Sequence, residues 1–160
     1  MRASGKWALV DVPHKGWSCI DVEDLGEPSA TCEMCETQTI RYVHRMQHPE
    51  YRHGVLACGC ICAGFMEEDR EAPREREAEL RSRASKRSRW LRRAWRVSQR
   101  GNDYLKLDGT VVVVFREPRG WKYIVKDARA ALLTSTSKLY DTGDAAKLAA
   151  FDALHTGGWQ

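Results

Sequence analysis

Residues 32–66 read CEMCETQTIRYVHRMQHPEYRHGVLACGCICAGFM and hold five of the six cysteines and three of the five histidines of a 160-residue chain. Cys32-x2-Cys35 forms a tight turn that sets two thiolates on one ion. Cys60-x-Cys62 follows after a hairpin and precedes a helix. Between them, residues 39–46 alternate as a strand does, with Ile40, Tyr42 and His44 on one face and Arg41, Val43 and Arg45 on the other. The segment from His48 to Gly54 is a turn, and Val55 to Ala57 returns toward the thiols. From Ala63 the pattern becomes helical.

This order places four soft ligands around one centre, which suits a structural zinc ion in a tetrahedron. The expected metal ligands are Cys32, Cys35, Cys60 and Cys62, and the expected cofactor is Zn2+. Cys58 is a further thiol in the same alternation, and His44 is the reserve ligand. Cys19 stands alone in a strand-like run and reads as core. The alternative for the whole cluster is a set of reduced thiols packed as small apolar groups. Four thiolates leave no open position for water, so the metal is expected to build the fold rather than to do chemistry. Three adjacent carboxylates, Glu67, Glu68 and Asp69, do not share one helix face and read as solvated.

Charge divides the chain. Residues 1–72 carry 7 Lys/Arg against 12 Asp/Glu, residues 73–100 carry 11 against 3, and residues 101–160 carry 8 against 7. These ranges are also the expected units: a metal module with N-terminal strands, a long basic helix, and an antiparallel sheet with a helix. The fold class is α+β. Residues 73–99 lack glycine and contain no proline after Pro73, which suits a first turn. They predict one helix ended by Gly101-Asn102, with Leu80, Ala84, Leu91, Ala94 and Trp95 along a stripe. Trp7 to Val12 and Trp17 to Val22 look β-like. Three or four strands are expected from Tyr104–Leu107, Val111–Phe115, Trp121–Val125 and Leu132–Leu139. A helix from Asp144 to His155 covers one sheet face with Ala146, Ala150, Phe151 and Leu154.

The basic helix supplies the candidate nucleic-acid contacts: Arg83, Lys86, Arg87, Arg89, Trp90, Arg92, Arg93, Arg96 and Arg100. Guanidinium groups pair with phosphates, and aromatic rings stack on bases. The competing reading is structural: acidic residues first and basic residues last suit the helix macrodipole, and the tryptophans are a core stripe. DNA or RNA is therefore the expected partner. An acidic protein surface is the alternative, as for a regulator or inhibitor. No run is apolar enough to cross a bilayer, and the N-terminal residues lack the apolar centre of a signal peptide, so a cytoplasmic protein without membrane partners is expected. Oligomeric state is not legible.

Two resemblances bear on this. Cys32-x2-Cys35, the hairpin and then Gly59-Cys60-Ile61-Cys62-Ala63 resemble a zinc-knuckle, treble-clef-like module of small bacterial and mobile-element proteins, which implies metal binding. Trp121 to Val125, with Tyr140-Asp141-Thr142 leading into Ala145 to Asp152, resembles AP2-type and integrase arm-binding domains. That likeness implies a sheet whose face reads DNA, with Arg116, Lys122 and Lys126 in the cationic role. A metal-dependent nuclease of the HNH type, with His44 or His48 as its catalytic histidine, ranks third. Residues 63–100 offer no later Asn or His to complete such a site.

Overall fold

A computed structural model describes residues 4–156. It is a mixed α+β protein built on antiparallel sheets, in two compact units, Met1–Ser82 and Arg83–Gln160. In chain order the elements are a 3-10 turn Gly5–Ala8, β1 (Ser18–Asp24), β2 (Ala30–Thr31), β3 (Thr39–Ile40), β4 (Tyr42–Gln47), β5 (Leu56–Cys58), α1 (Cys60–Glu67), α2 (Ala72–Trp90), β6 (Arg96–Val97), β7 (Asp103–Leu107), β8 (Thr110–Glu117), β9 (Gly120–Asp127), β10 (Leu132–Ser135) and α3 (Gly143–Thr156). No helix among the described residues is long and apolar enough to cross a membrane.

In the first unit β4 is the centre of a three-stranded sheet, flanked by β1 and β5. The expected hairpin is present: His44 faces Cys58, Arg45 faces Ala57 and Met46 faces Leu56. Val12, Trp17, Met34, Val43, Met46, Leu56, Ala63 and Met66 are buried in one core with four cysteines, Cys32, Cys35, Cys58 and Cys62. Trp7 to Val12 is not a strand. Gly5–Ala8 is a 3-10 turn whose Lys6 amide donates to the Met34 carbonyl at 2.8 Å, so its partner is a turn rather than a sheet edge.

The acidic run 67–69 has three separate structural duties. Glu67 accepts from the Cys19 amide at 3.1 Å and from Arg76 at 2.7 Å. Glu68 ends α1 in the left-handed region at φ 61°. Asp69 Oδ1 accepts from the amides of Glu71 and Ala72, capping the start of α2.

In the second unit the sheet order is β10-β9-β8-β7-β6, five strands rather than the three or four expected. Alternation in β8 buries Val112 and Val114. They meet Leu105, Tyr123 and Val125 of the neighbouring strands and Ala146, Ala150 and Phe151 of α3. Asp108-Gly109 forms the β7–β8 turn, with Gly109 at φ 71°.

The basic helix is shorter than the sequence pattern predicts. It stops at Trp90 rather than continuing to 99. Tertiary bonds take over there. The Trp90 indole N–H donates to the Lys147 carbonyl at 2.7 Å. The Trp95 indole N–H donates to the Trp90 carbonyl at 3.1 Å, which supplies the partner that the next helical turn would have offered. Arg96 and Val97 then pair with Tyr104 and Asp103 as an edge strand, joined by a turn with Gly101 at φ 77°. The expected last strand is also shorter, ending at Ser135, with Tyr140 returning only as an isolated bridge to Trp121.

Candidate metal centre and cationic surface

Cys32 leaves β2 into a tight turn whose Glu36 amide bonds back to the Cys32 carbonyl at 2.8 Å, with Glu36 at φ 58°. The turn is fastened on two sides. The Glu33 amide donates to the Ala57 carbonyl at 2.8 Å, and the Glu33 carboxylate accepts from the Ala57 amide at 2.6 Å. On the other side Ser4 Oγ donates to the Cys35 carbonyl at 3.2 Å. Gly5 sits at φ 61° so close to the turn that a Cβ there would lie 2.7 Å from the Cys35 carbonyl carbon. Only glycine fits that approach.

These supports bring the Cys32, Cys35 and Cys62 sulfurs within 4.8 Å of one another, all three buried. Four sulfurs 2.3 Å from a central zinc stand about 3.8 Å apart, so this spacing fits a metal. Two N–H groups point at the sulfurs: Gly59 N–H to Cys32 at 3.4 Å and Trp7 Nε1–H to Cys62 at 3.5 Å. Such donors favour the thiolate form. Cys58, fully buried at the end of β5, packs in the same core and acts on the ionisation of Cys32, but its sulfur is not one of the three that lie within 4.8 Å of one another.

The protons are shared unevenly. Hydrogen bonds from Cys58 and then Cys62 hold Cys32 far below the usual thiol range. The same bonds to Cys32, with burial, push Cys58 and Cys62 far up. One negative sulfur thus suppresses ionisation of its neighbours. A dication reverses this by stabilising several thiolates at once.

Cys60, expected as a ligand, is not in this group. It is half-buried, its thiol pushed up first by burial and then by the Glu77 carboxylate. The reason is helical geometry. Because α1 begins at Cys60, Cys60 and Cys62 are two positions apart on a helix and point in different directions. Cys58, on the strand before Gly59, lies against the cluster instead. His44 is fully buried with Nε2 3.1 Å from Glu77 Oε1, and its Nδ1 has no partner among the described residues. Burial lowers its pKa, against the opposing hydrogen bond that its Nε2–H donates to Glu77.

No protein-family model, curated protein or solved structure matches the chain.

The candidate nucleic-acid contacts fall into three groups. Arg87 is tied to Asp152 by two bonds of 2.9 and 3.1 Å. Trp90 is a core residue at 2 % exposure, edge-on to both Trp95 and Phe151, and offers no free face for stacking. Arg83, Lys86, Arg89, Arg92, Arg93, Arg96 and Arg100 have no carboxylate partner among the described residues. Lys86, Arg89, Arg92 and Arg93 line one cleft of 580 Å³ with Trp90, Phe151 and His155. On the sheet, Lys122 is paired to Glu117 at 3.1 Å, so one of the three cations invoked there is already engaged. Sequence reasoning missed His155, which the i, i+4 spacing from Phe151 on α3 would have exposed.

Proposed function

We propose that the chain is a non-enzymatic zinc protein that binds nucleic acid through the cationic surface at the end of α2. The observation that carries the nucleic-acid reading is the set of seven cations between Arg83 and Arg100 left without carboxylate partners among the described residues. Macrodipole compensation needs only a few charges in the last turn. Seven uncompensated cations repel one another, and a polyanion relieves that repulsion.

Zinc is the ion that suits an all-thiolate set, with the gathered Cys32, Cys35 and Cys62 as ligands and the buried neighbour Cys58 moving in as the fourth. Its order, a knuckle, a hairpin and a ligand in the first turn of a helix, is that of a treble clef. The ion would supply charge and cross-links to a small unit whose hydrophobic core is modest. The residues around it would hold the ion and exclude water.

The test is equilibrium binding of the zinc-loaded chain to single-stranded DNA, duplex DNA and RNA across a salt series. If four to seven cations meet phosphates, the logarithmic plot for single strands falls with a slope between about −3 and −5. Absence of binding at low salt, or binding insensitive to salt, contradicts the reading.

A further inference from the structure

We infer that the cleft at the end of α2 takes one unstacked base, with its adjoining phosphate, from a single-stranded nucleic acid. This rests on the nucleic-acid reading above and adds to it the form of ligand and the residue that reads it. The cleft belongs wholly to the second unit.

Its walls are set by spacing. Lys86, Arg89 and Trp90 stand at i, i+3 and i+4, which places them on one face of the last turns of α2. Arg93 follows one turn on, its guanidinium 5.9 Å from the Trp90 ring centre. Arg89 spends one N–H on the Ser85 carbonyl at 3.2 Å and keeps the others. Asp152 of α3, next in sequence to Phe151, is already held by Arg87 through both oxygens. Among the described residues the walls therefore carry positive charge with no anion.

The platform is aromatic. His155 is exposed and lies flat on buried Phe151, with ring centres 3.9 Å apart and planes 22° apart. Its Nδ1–H donates to the Phe151 carbonyl at 2.8 Å, which fixes the ring. One face of the imidazole is covered by Phe151, and no other aromatic ring among the described residues lies against it. A ring held flat by a rigid partner loses little freedom when a base stacks on its other side.

The combination selects among anions. A cleft of 580 Å³ is of ligand-pocket size, larger than a lone phosphate requires. In a duplex the base faces are stacked on one another and offer the imidazole no free face. An acidic peptide would satisfy the cations but leave the imidazole face unused. A single strand offers a phosphate for Arg89, Arg92 and Arg93 and a free base face for His155.

The experiment titrates the full zinc-loaded chain, as wild type, His155→Ala and His155→Phe, against a short labelled single strand, the same sequence as duplex, and heparin. Thermal melts of each variant confirm that the second unit stays folded. His155→Ala is expected to weaken single-strand binding by about tenfold, the effect of losing one stacked base. It should leave duplex and heparin binding unchanged, and His155→Phe should restore the single-strand affinity. Equal single-strand affinity of wild type and His155→Ala overturns the inference while leaving nucleic-acid binding intact. So does an equal loss toward heparin, which would mean that only charge is read. If no ligand binds at low salt, this inference and the proposed function fall together.

Discussion

Cys32→Ser is expected to release the metal and unfold the first unit. Cys32 accepts N–H from Gly59, lies within 4.8 Å of the Cys35 and Cys62 sulfurs, and has its ionisation set by Cys58 and Cys62, so it is the shared member of the cluster. Every connection from the knuckle to β5 and to the N-terminal turn passes within a few residues of it: Glu33 to Ala57, Lys6 to Met34 and Ser4 to Cys35. Structural zinc contributes about 10–16 kcal/mol of binding free energy in small domains, more than a unit of this size holds in reserve. The check is a thermal or urea melt followed by far-ultraviolet circular dichroism, with and without a chelator. The variant should lose the transition of the first unit, and chelated wild type should match it. A variant that melts as wild type does would mean that the thiols are only packed.

Trp90→Ala is expected to cost the second unit about 3–5 kcal/mol, the range for truncating a large buried aromatic. Trp90 is 2 % exposed and meets both Trp95 and Phe151 edge to face at 5.8 and 5.2 Å. Its indole N–H also satisfies the Lys147 carbonyl, which the alanine variant leaves without that donor. The neighbouring Lys147 ammonium lies 4.9 Å from the Trp95 ring and 2.8 Å from Asp103, so the disturbance spreads to β7. Urea denaturation followed by Trp fluorescence reads this. Trp90→Phe should recover part of the loss by keeping an aromatic ring without the N–H. Unchanged stability in both variants would contradict the packing described for this residue.

What the sequence made legible follows from the range of the forces involved. The hairpin β4–β5, the strands β7 to β9 and the helix α3 are set by local alternation, turn residues and apolar periodicity, all of which lie in the segment itself. The end of α2 is different. Residues 91–99 have good helical composition, yet Trp90 and Trp95 are captured by partners distant in sequence or by a released carbonyl, and propensity gives way. The same override turns Arg96 and Val97 into an edge strand.

The thiols teach a finer lesson. Cys32, Cys35 and Cys62 are brought together as their spacing implies. Cys60 is not, because the helix begins three residues earlier than the sequence pattern suggests. With the helix starting at Cys60, Cys60 and Cys62 stand at i, i+2 and point apart, a relation that a start at Ala63 conceals. Trp90 was legible as an aromatic among arginines, but whether such a ring faces solvent depends on a helix 57 residues away.

The most direct measurement is the zinc-to-protein ratio of the purified, chelator-washed chain and of its Cys58→Ser and Cys60→Ser variants. One zinc per chain in wild type and Cys60→Ser, with the metal lost from Cys58→Ser, is the expected result. A wild-type chain without tightly held metal, or metal kept by Cys58→Ser and lost by Cys60→Ser, would contradict a centre built from Cys32, Cys35, Cys58 and Cys62.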